Sequence, residues 1–80
     1  MYVLDFLNKI KWDKREKLED YTIVYFDRVE IKYKQISYRA IKRVEEPFIV
    51  VDSEFGEVSI PLHRIHEIRK KGEIVWKREI

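Results

Sequence analysis

Ile60-Pro61-Leu62-His63-Arg64-Ile65-His66-Glu67-Ile68-Arg69 carries two periodicities in ten residues. Val58, Ile60 and Leu62 alternate, which is the period of a half-buried strand. Leu62, Ile65 and Ile68 then recur at every third residue, the spacing of a helical turn or of a bend in a sheet. Between the two patterns Pro61 lacks a backbone donor and fixes φ, so a central ladder does not run through it undisturbed. The break presents His63 and Arg64 side by side. A titratable ring beside a planar five-donor guanidinium suits an anionic ligand. The same residues admit an architectural reading, in which His63 donates to a backbone carbonyl and Arg64 pairs with Glu67.

The pattern has a weaker copy upstream. Ile36-Ser37-Tyr38-Arg39-Ala40-Ile41-Lys42-Arg43-Val44 aligns with Ile60–Ile68, matching Ile36 to Ile60, Ile41 to Ile65 and Val44 to Ile68. Each copy is followed by a turn and a strand: Phe48-Ile49-Val50-Val51 after Glu46-Pro47, and Glu73-Ile74-Val75-Trp76 after Lys71-Gly72. A strand–bend–strand unit is therefore expected twice, with Arg39 in the place of His63. Packing of the two units about a pseudo-dyad would set Arg39 near His63 and Arg64.

Tyr21-Thr22-Ile23-Val24-Tyr25-Phe26 is β-branched and aromatic almost throughout, the composition of a strand covered on both faces. Asp27-Arg28-Val29-Glu30 reads as the next turn, with Asp27 and Arg28 as a simple ion pair. Ile31-Lys32-Tyr33-Lys34-Gln35 alternates, which places Ile31 and Tyr33 inward and both lysines outward. Asp52–Glu57 reads as a hairpin loop with Gly56 free to take positive φ, and Arg69–Gly72 as a tight basic turn. Trp76 is assigned to the core, and Lys77–Ile80 to a short fraying tail.

At the other end, Val3, Leu4, Leu7 and Ile10 fall on one helical face flanked by Phe6. Asp5 in the first turn and Lys9 and Lys11 in the last suit the helix dipole. A helix over about residues 2–11 is expected to pack on a sheet, followed by an irregular connection over 12–20. Trp12 either closes over the edge of the core or, beside Lys11 and Arg15, offers a stacking platform for a base. The chain as a whole reads as one α+β domain over residues 1–80: an N-terminal helix packed on a bent antiparallel sheet, or small open barrel, of about five or six strands over 21–78.

Eighty residues support only a small core, because a chain of this size buries roughly 60–65% of its unfolded surface. With no cysteine there is neither a disulfide nor a thiolate metal site. Charged residues make up 40% of the chain, and the wealth of Lys, Glu and Arg with few thermolabile side chains is the composition of a hyperthermophile's protein. A net charge of +2 with interspersed signs is far from the footprint of nonspecific nucleic-acid binding, so an anionic partner must be met by a local patch. Neither a signal peptide nor a membrane span is recognisable, and a cytoplasmic protein is expected. The residues do not set an oligomeric state.

Two separated glycines make neither a P-loop nor a dinucleotide fingerprint, and Thr22, Ser37, Ser53 and Ser59 are not set beside histidine in a triad motif. His63 and His66 sit three apart with Glu67 next, but no third ligand or zinc-protease pattern accompanies them, so no metal and no cofactor is expected. What remains is an anion or RNA site drawn from His63, Arg64, Arg39, Lys11, Arg15 and Arg28, with Trp12 or a tyrosine to stack on.

Lys11-Trp12-Asp13 after an apolar helix, Glu19-Asp20-Tyr21 before a strand, Asp27-Arg28, Pro61-Leu62-His63-Arg64-Ile65 and the closing Gly72-Glu73-Ile74-Val75-Trp76 together resemble a small, mainly archaeal family, the RNA cyclic group end recognition domain. The similarity runs through nearly the whole chain, and the Lys-Trp-Asp and Pro-x-His-Arg-Ile motifs are its most specific parts. At Val29 this chain departs from the glycine the family often carries after the turn. The resemblance implies a module that recognises RNA ends, in particular 2′,3′-cyclic phosphate termini, in the company of RNA-processing and RNA-repair enzymes. It points to Trp12, Asp13, His63 and Arg64; Arg39 rests on the repeat alone. In such a site Arg64 would take the non-bridging oxygens and His63 would donate one N–H. Two rival readings stay open: a small phosphodiesterase using His63 as general acid–base with Arg64 stabilising charge, and a structural or protein-interaction domain.

Overall fold

The computed structural model describes residues 1–78. One helix, α1 (Val3–Trp12), precedes seven strands: β1 (Tyr21–Asp27), β2 (Lys32–Ser37), β3 (Ile41–Glu45), β4 (Phe48–Ser53), β5 (Gly56–Pro61), β6 (Ile65–Lys70) and β7 (Glu73–Lys77). They form two antiparallel sheets, a four-stranded one ordered β2-β1-β6-β7 and a three-stranded one ordered β3-β4-β5. The fold is α+β with open sheets. The expected single bent sheet is divided in two, and it has more strands than expected because both bends interrupt pairing.

Those bends are single 3-10 turns, Tyr38–Ala40 and Leu62–Arg64. At the first the chain passes from β2 in the larger sheet to β3 in the smaller; at the second it returns from β5 to β6. The strand–bend–strand repeat is thus the device that moves the chain between sheets. Tyr38 and Leu62 open the two turns and both are buried. Ile41 and Ile65 follow them into the core, whereas Val44 is 39% exposed where its counterpart Ile68 is fully buried. Pro61 stands at the end of β5, an edge strand, where its missing donor disrupts no inner ladder.

Val3, Leu7 and Ile10 lay one stripe of α1 against a cluster that includes Ile23, Ile49, Ile60, Leu62, Ile65 and Ile68. The Trp76 indole N–H donates to the Met1 carbonyl at 2.8 Å, and the Tyr38 hydroxyl to the Leu7 carbonyl at 2.7 Å. The N-terminal segment is thus fastened to β7, and the helix to the first corner. The 12–20 connection contains one 3-10 turn, Leu18–Asp20.

The β1–β2 hairpin departs from the sequence reading. Asp27 Oδ1 accepts from the amides of Val29 and Glu30 at 2.8 and 3.2 Å, and Ile31 takes φ 51° outside the strand. Phe26 then pairs with Tyr33 and Ile23 with Ile36. The register inverts the expected faces: Tyr33 points to solvent, Ile31 is 76% exposed, and Lys34 turns toward Asp27 and Glu30. One residue of offset at a turn exchanges every face of a strand. At the C-terminus, Lys77 ends β7 and Arg78 is hydrogen-bonded to the neighbouring strand, so neither belongs to a fraying tail. Glu79 and Ile80 lie outside the described residues. Among the described residues no helix is long and apolar enough to cross a membrane.

Candidate functional site

The corner that presents His63 and Arg64 is braced from several directions. The Leu62 amide donates to the Pro47 carbonyl at 2.9 Å, which ties the corner to the β3–β4 turn. The Arg78 guanidinium donates to the carbonyls of Leu62 and Ile65 at 2.9 and 3.0 Å, and its own amide donates to the His66 carbonyl at 2.9 Å. With Leu62 and Ile65 held in the core, the turn sets His63 outward and leaves Arg64 at the edge of the core. His63 is exposed and Arg64 half-buried.

Arg64 lines a cleft of about 200 Å³ between the end of β1 and the end of β5. Tyr25, Phe26 and Asp27 form one wall, and Ser59 and Pro61 are on the other. The Arg64 Nε is buried and has no hydrogen-bond partner among the described residues. Buried guanidinium donors are nearly always satisfied, so an unmet one calls for an explanation. The partner expected for Arg64 is engaged elsewhere: Glu67 accepts from Arg69 at 3.0 and 2.8 Å. Among the described residues His63 donates to no carbonyl. The architectural reading of the pair is thus not what the structure contains.

Asp27 brings a negative charge to the cleft, but a compensated one. Lys34 lies at 2.8 Å, and the two turn amides also point at the carboxylate. The lysine contact, then the amides, draw the Asp27 carboxyl down to about 2. Burial, the largest influence, pushes the Tyr25 hydroxyl above its ordinary value, so it remains a neutral donor. The wall opposite Arg64 therefore combines aromatic residues with a carboxylate that Lys34 compensates.

The remaining sequence candidates gather elsewhere. Trp12 is 76% exposed at the end of α1, with Lys11 Nζ 5.7 Å from its ring, so it does not close over the core. Asp13 is held by Arg15, which donates from its amide and its guanidinium at 3.0–3.2 Å and keeps the carboxyl below its ordinary range. Lys11 and Arg39 line a second cleft of about 200 Å³ together with Lys42 and Arg43. The cations there are largely matched: Arg39 faces Glu19 at 4.0 Å, Lys42 lies 3.2 Å from Glu57, and Arg43 binds both Glu45 and Glu57. Arg28 is exposed on the β1–β2 turn, and Asp27 pairs with Lys34 rather than with it. The cleft of Arg64 is lined by none of His63, Lys11, Trp12, Asp13, Arg28 and Arg39, so His63 and Arg64 are neighbours in sequence that do not share it.

Sequence reasoning missed the β1 wall of the Arg64 cleft. Tyr25 and Phe26 were absorbed into a strand read as wholly buried. The one available signal was Asp27 at the strand's end, a residue that caps tight turns through its side chain.

A family model, the MJ1316 RNA cyclic group end recognition domain, matches residues 1–78. The chain belongs to this family. Its relatives include UPF0248 proteins of Saccharolobus islandicus (strain L.S.2.15), 38% identical over 98% of this chain and 100% of the relative, and of Metallosphaera sedula, 37% identical over 98% and 94%. A third, from Saccharolobus solfataricus, is 35% identical over 98% of both chains. No solved structure matches at comparable stringency. The family-model match spans both the Lys11-Trp12-Asp13 helix end and the Pro61–Ile65 corner. The relatives come from Sulfolobales archaea, in accord with the charge-rich composition.

Proposed function

We propose that this domain binds RNA ends bearing a 2′,3′-cyclic phosphate, without catalysis, and serves RNA processing or repair. The observation that carries the proposal is Arg64, half-buried on the wall of a cleft and without a carboxylate partner among the described residues. A cyclic phosphate bears one negative charge against up to two on an open monoester, so one arginine assisted by the Ser59 hydroxyl of the same cleft is a sufficient complement. The cleft, at about 200 Å³, is below the ~300 Å³ at which pockets for drug-sized ligands begin. Its size suits a sugar–phosphate terminus rather than a whole nucleotide. The family's description supports the same ligand class.

The enzymatic alternative needs a second proton-transfer group beside His63. Its neighbours are otherwise engaged: Glu67 is held by Arg69, and the His66 ring packs against Tyr33 at 5.1 Å. Binding is therefore favoured over turnover. Titrating the protein with one RNA oligonucleotide prepared with cyclic phosphate, 3′-phosphate or hydroxyl ends tests this. Tightest binding to the cyclic end is expected; equal affinity for all three rejects the proposal. Hydrolysis of the cyclic end above a His63→Ala control would instead make the domain an enzyme.

A further inference from the structure

The larger sheet has an outer face turned away from α1 and the core. Along β1 the inward residues Tyr21, Ile23 and Tyr25 alternate with the outward Thr22, Val24 and Phe26. From Val24 a row of partners crosses all four strands: Gln35 on β2, Val24 on β1, Glu67 on β6 and Lys77 on β7. Beside that row lies a line of rings. Phe26 meets Tyr33 edge to face at 5.2 Å, and Tyr33 meets His66 at 5.1 Å. A register shift between Val24 and Tyr25 allows the consecutive residues His66 and Glu67 to line the same depression, of about 330 Å³.

This depression is lined by the three cations Arg69, Lys77 and Arg78 against the single carboxylate of Glu67, which Arg69 already neutralises. Tyr33 is 58% exposed although it holds ring contacts on two sides. Phe26 joins the two places: it lines the Arg64 cleft and packs on Tyr33, which lines the depression. Open aromatic rings with flanking cations and one amide are the means by which sheet surfaces hold single-stranded RNA, the rings stacking on bases and the cations following the backbone.

We infer that the outer face of the four-stranded sheet binds the single-stranded RNA immediately 5′ of the recognised end, with the base preceding the terminal nucleotide stacked on Tyr33. This inference rests on the Arg64 cleft holding the terminus, and it defines the ligand as a single-stranded tail of at least two nucleotides. The Gln35 amide, able to donate and accept, faces that base.

The test compares a nucleoside 2′,3′-cyclic monophosphate, a four-nucleotide RNA ending in the same group and the same RNA with a hydroxyl end, on wild type, Tyr33→Ala and Arg64→Ala. Tyr33→Ala is expected to weaken the tetranucleotide roughly 5- to 150-fold, the range of one lost base stack, and to leave the mononucleotide unchanged. Arg64→Ala weakens both. Tyr33→Trp, which keeps a stacking ring, retains tetranucleotide affinity, and thermal melting of each variant separates lost binding from lost folding. A folded Tyr33→Ala variant that binds the tetranucleotide like wild type overturns the inference while leaving the cleft reading intact. A Tyr33-dependent affinity indifferent to the terminal group retains the platform and rejects the cleft. Absence of binding by all three ligands overturns both.

Discussion

The Asp27 carboxylate accepts from two backbone amides and faces Lys34 at 2.8 Å, and these contacts draw its carboxyl from the ordinary 3.8 to about 2. In the unfolded chain the carboxyl takes its proton at the ordinary pH. Its contribution to stability is therefore complete above about 3.8, shrinks as pH falls, and is gone below about 2. Denaturant titrations across that window are expected to show Asp27→Asn with a shallower acid limb than wild type; parallel limbs would mean the turn does not depend on the charge. Tyr38 gives a second expectation. Its buried hydroxyl donates to the Leu7 carbonyl, so Tyr38→Phe should cost about 1 kcal/mol and lower Tm by roughly 4–8 °C in a domain of this size. An unchanged Tm would mean that the bond adds nothing to helix docking. At Arg64 the sequence was informative, because a His-Arg pair at a proline-marked bend is a visible anomaly. That Glu67 would be claimed by Arg69 was not visible, since the choice between two nearby arginines depends on register.

The two 3-10 corners were legible as a repeated spacing of apolar residues, because each must bury its first residue and the one three further on. What the spacing leaves out is the destination of the chain after each corner. Pairing β1 with β6 is set by contacts distant in sequence. The inverted faces of β2 have a local cause: Ile31 enters the left-handed region, which β-branched residues rarely do. The α1 stripe was plain in its periodicity, and its docking is testable. Leu7 is 1% exposed among core residues from both sheets, so Leu7→Ala should remove about 2–5 kcal/mol, a large share of the ~5–15 kcal/mol available to a small domain. A urea midpoint close to wild type would show that α1 is peripheral to the core.

A net charge of +2 distributed over a mixed surface sets limits on how the domain meets RNA. Recognition must be local, with one or two phosphates engaged at the Arg64 cleft and a few cations along the outer sheet face. Each phosphate neutralised on a single strand contributes ~0.7 to the log–log dependence of affinity on salt, so a shallow slope of roughly −1 to −2 is expected. A slope steeper than about −4 would indicate a broad electrostatic surface instead. Which cations converge was the part least legible in the sequence. Lys11 and Arg39 share one cleft and Arg64 lines another, because the corners lie at different junctions of the two sheets.

One thermodynamic cycle isolates recognition of the cyclic end by Arg64. It requires affinities of wild type and Arg64→Ala for one RNA with a cyclic-phosphate end and for the same RNA with a hydroxyl end, at a single fixed salt concentration. Wild type should prefer the cyclic end, and Arg64→Ala should abolish that preference while changing hydroxyl-end binding little. This is the non-additivity expected of groups in direct contact. Equal losses on both ends would contradict it, leaving Arg64 as a general cation and placing recognition of the end elsewhere on the domain.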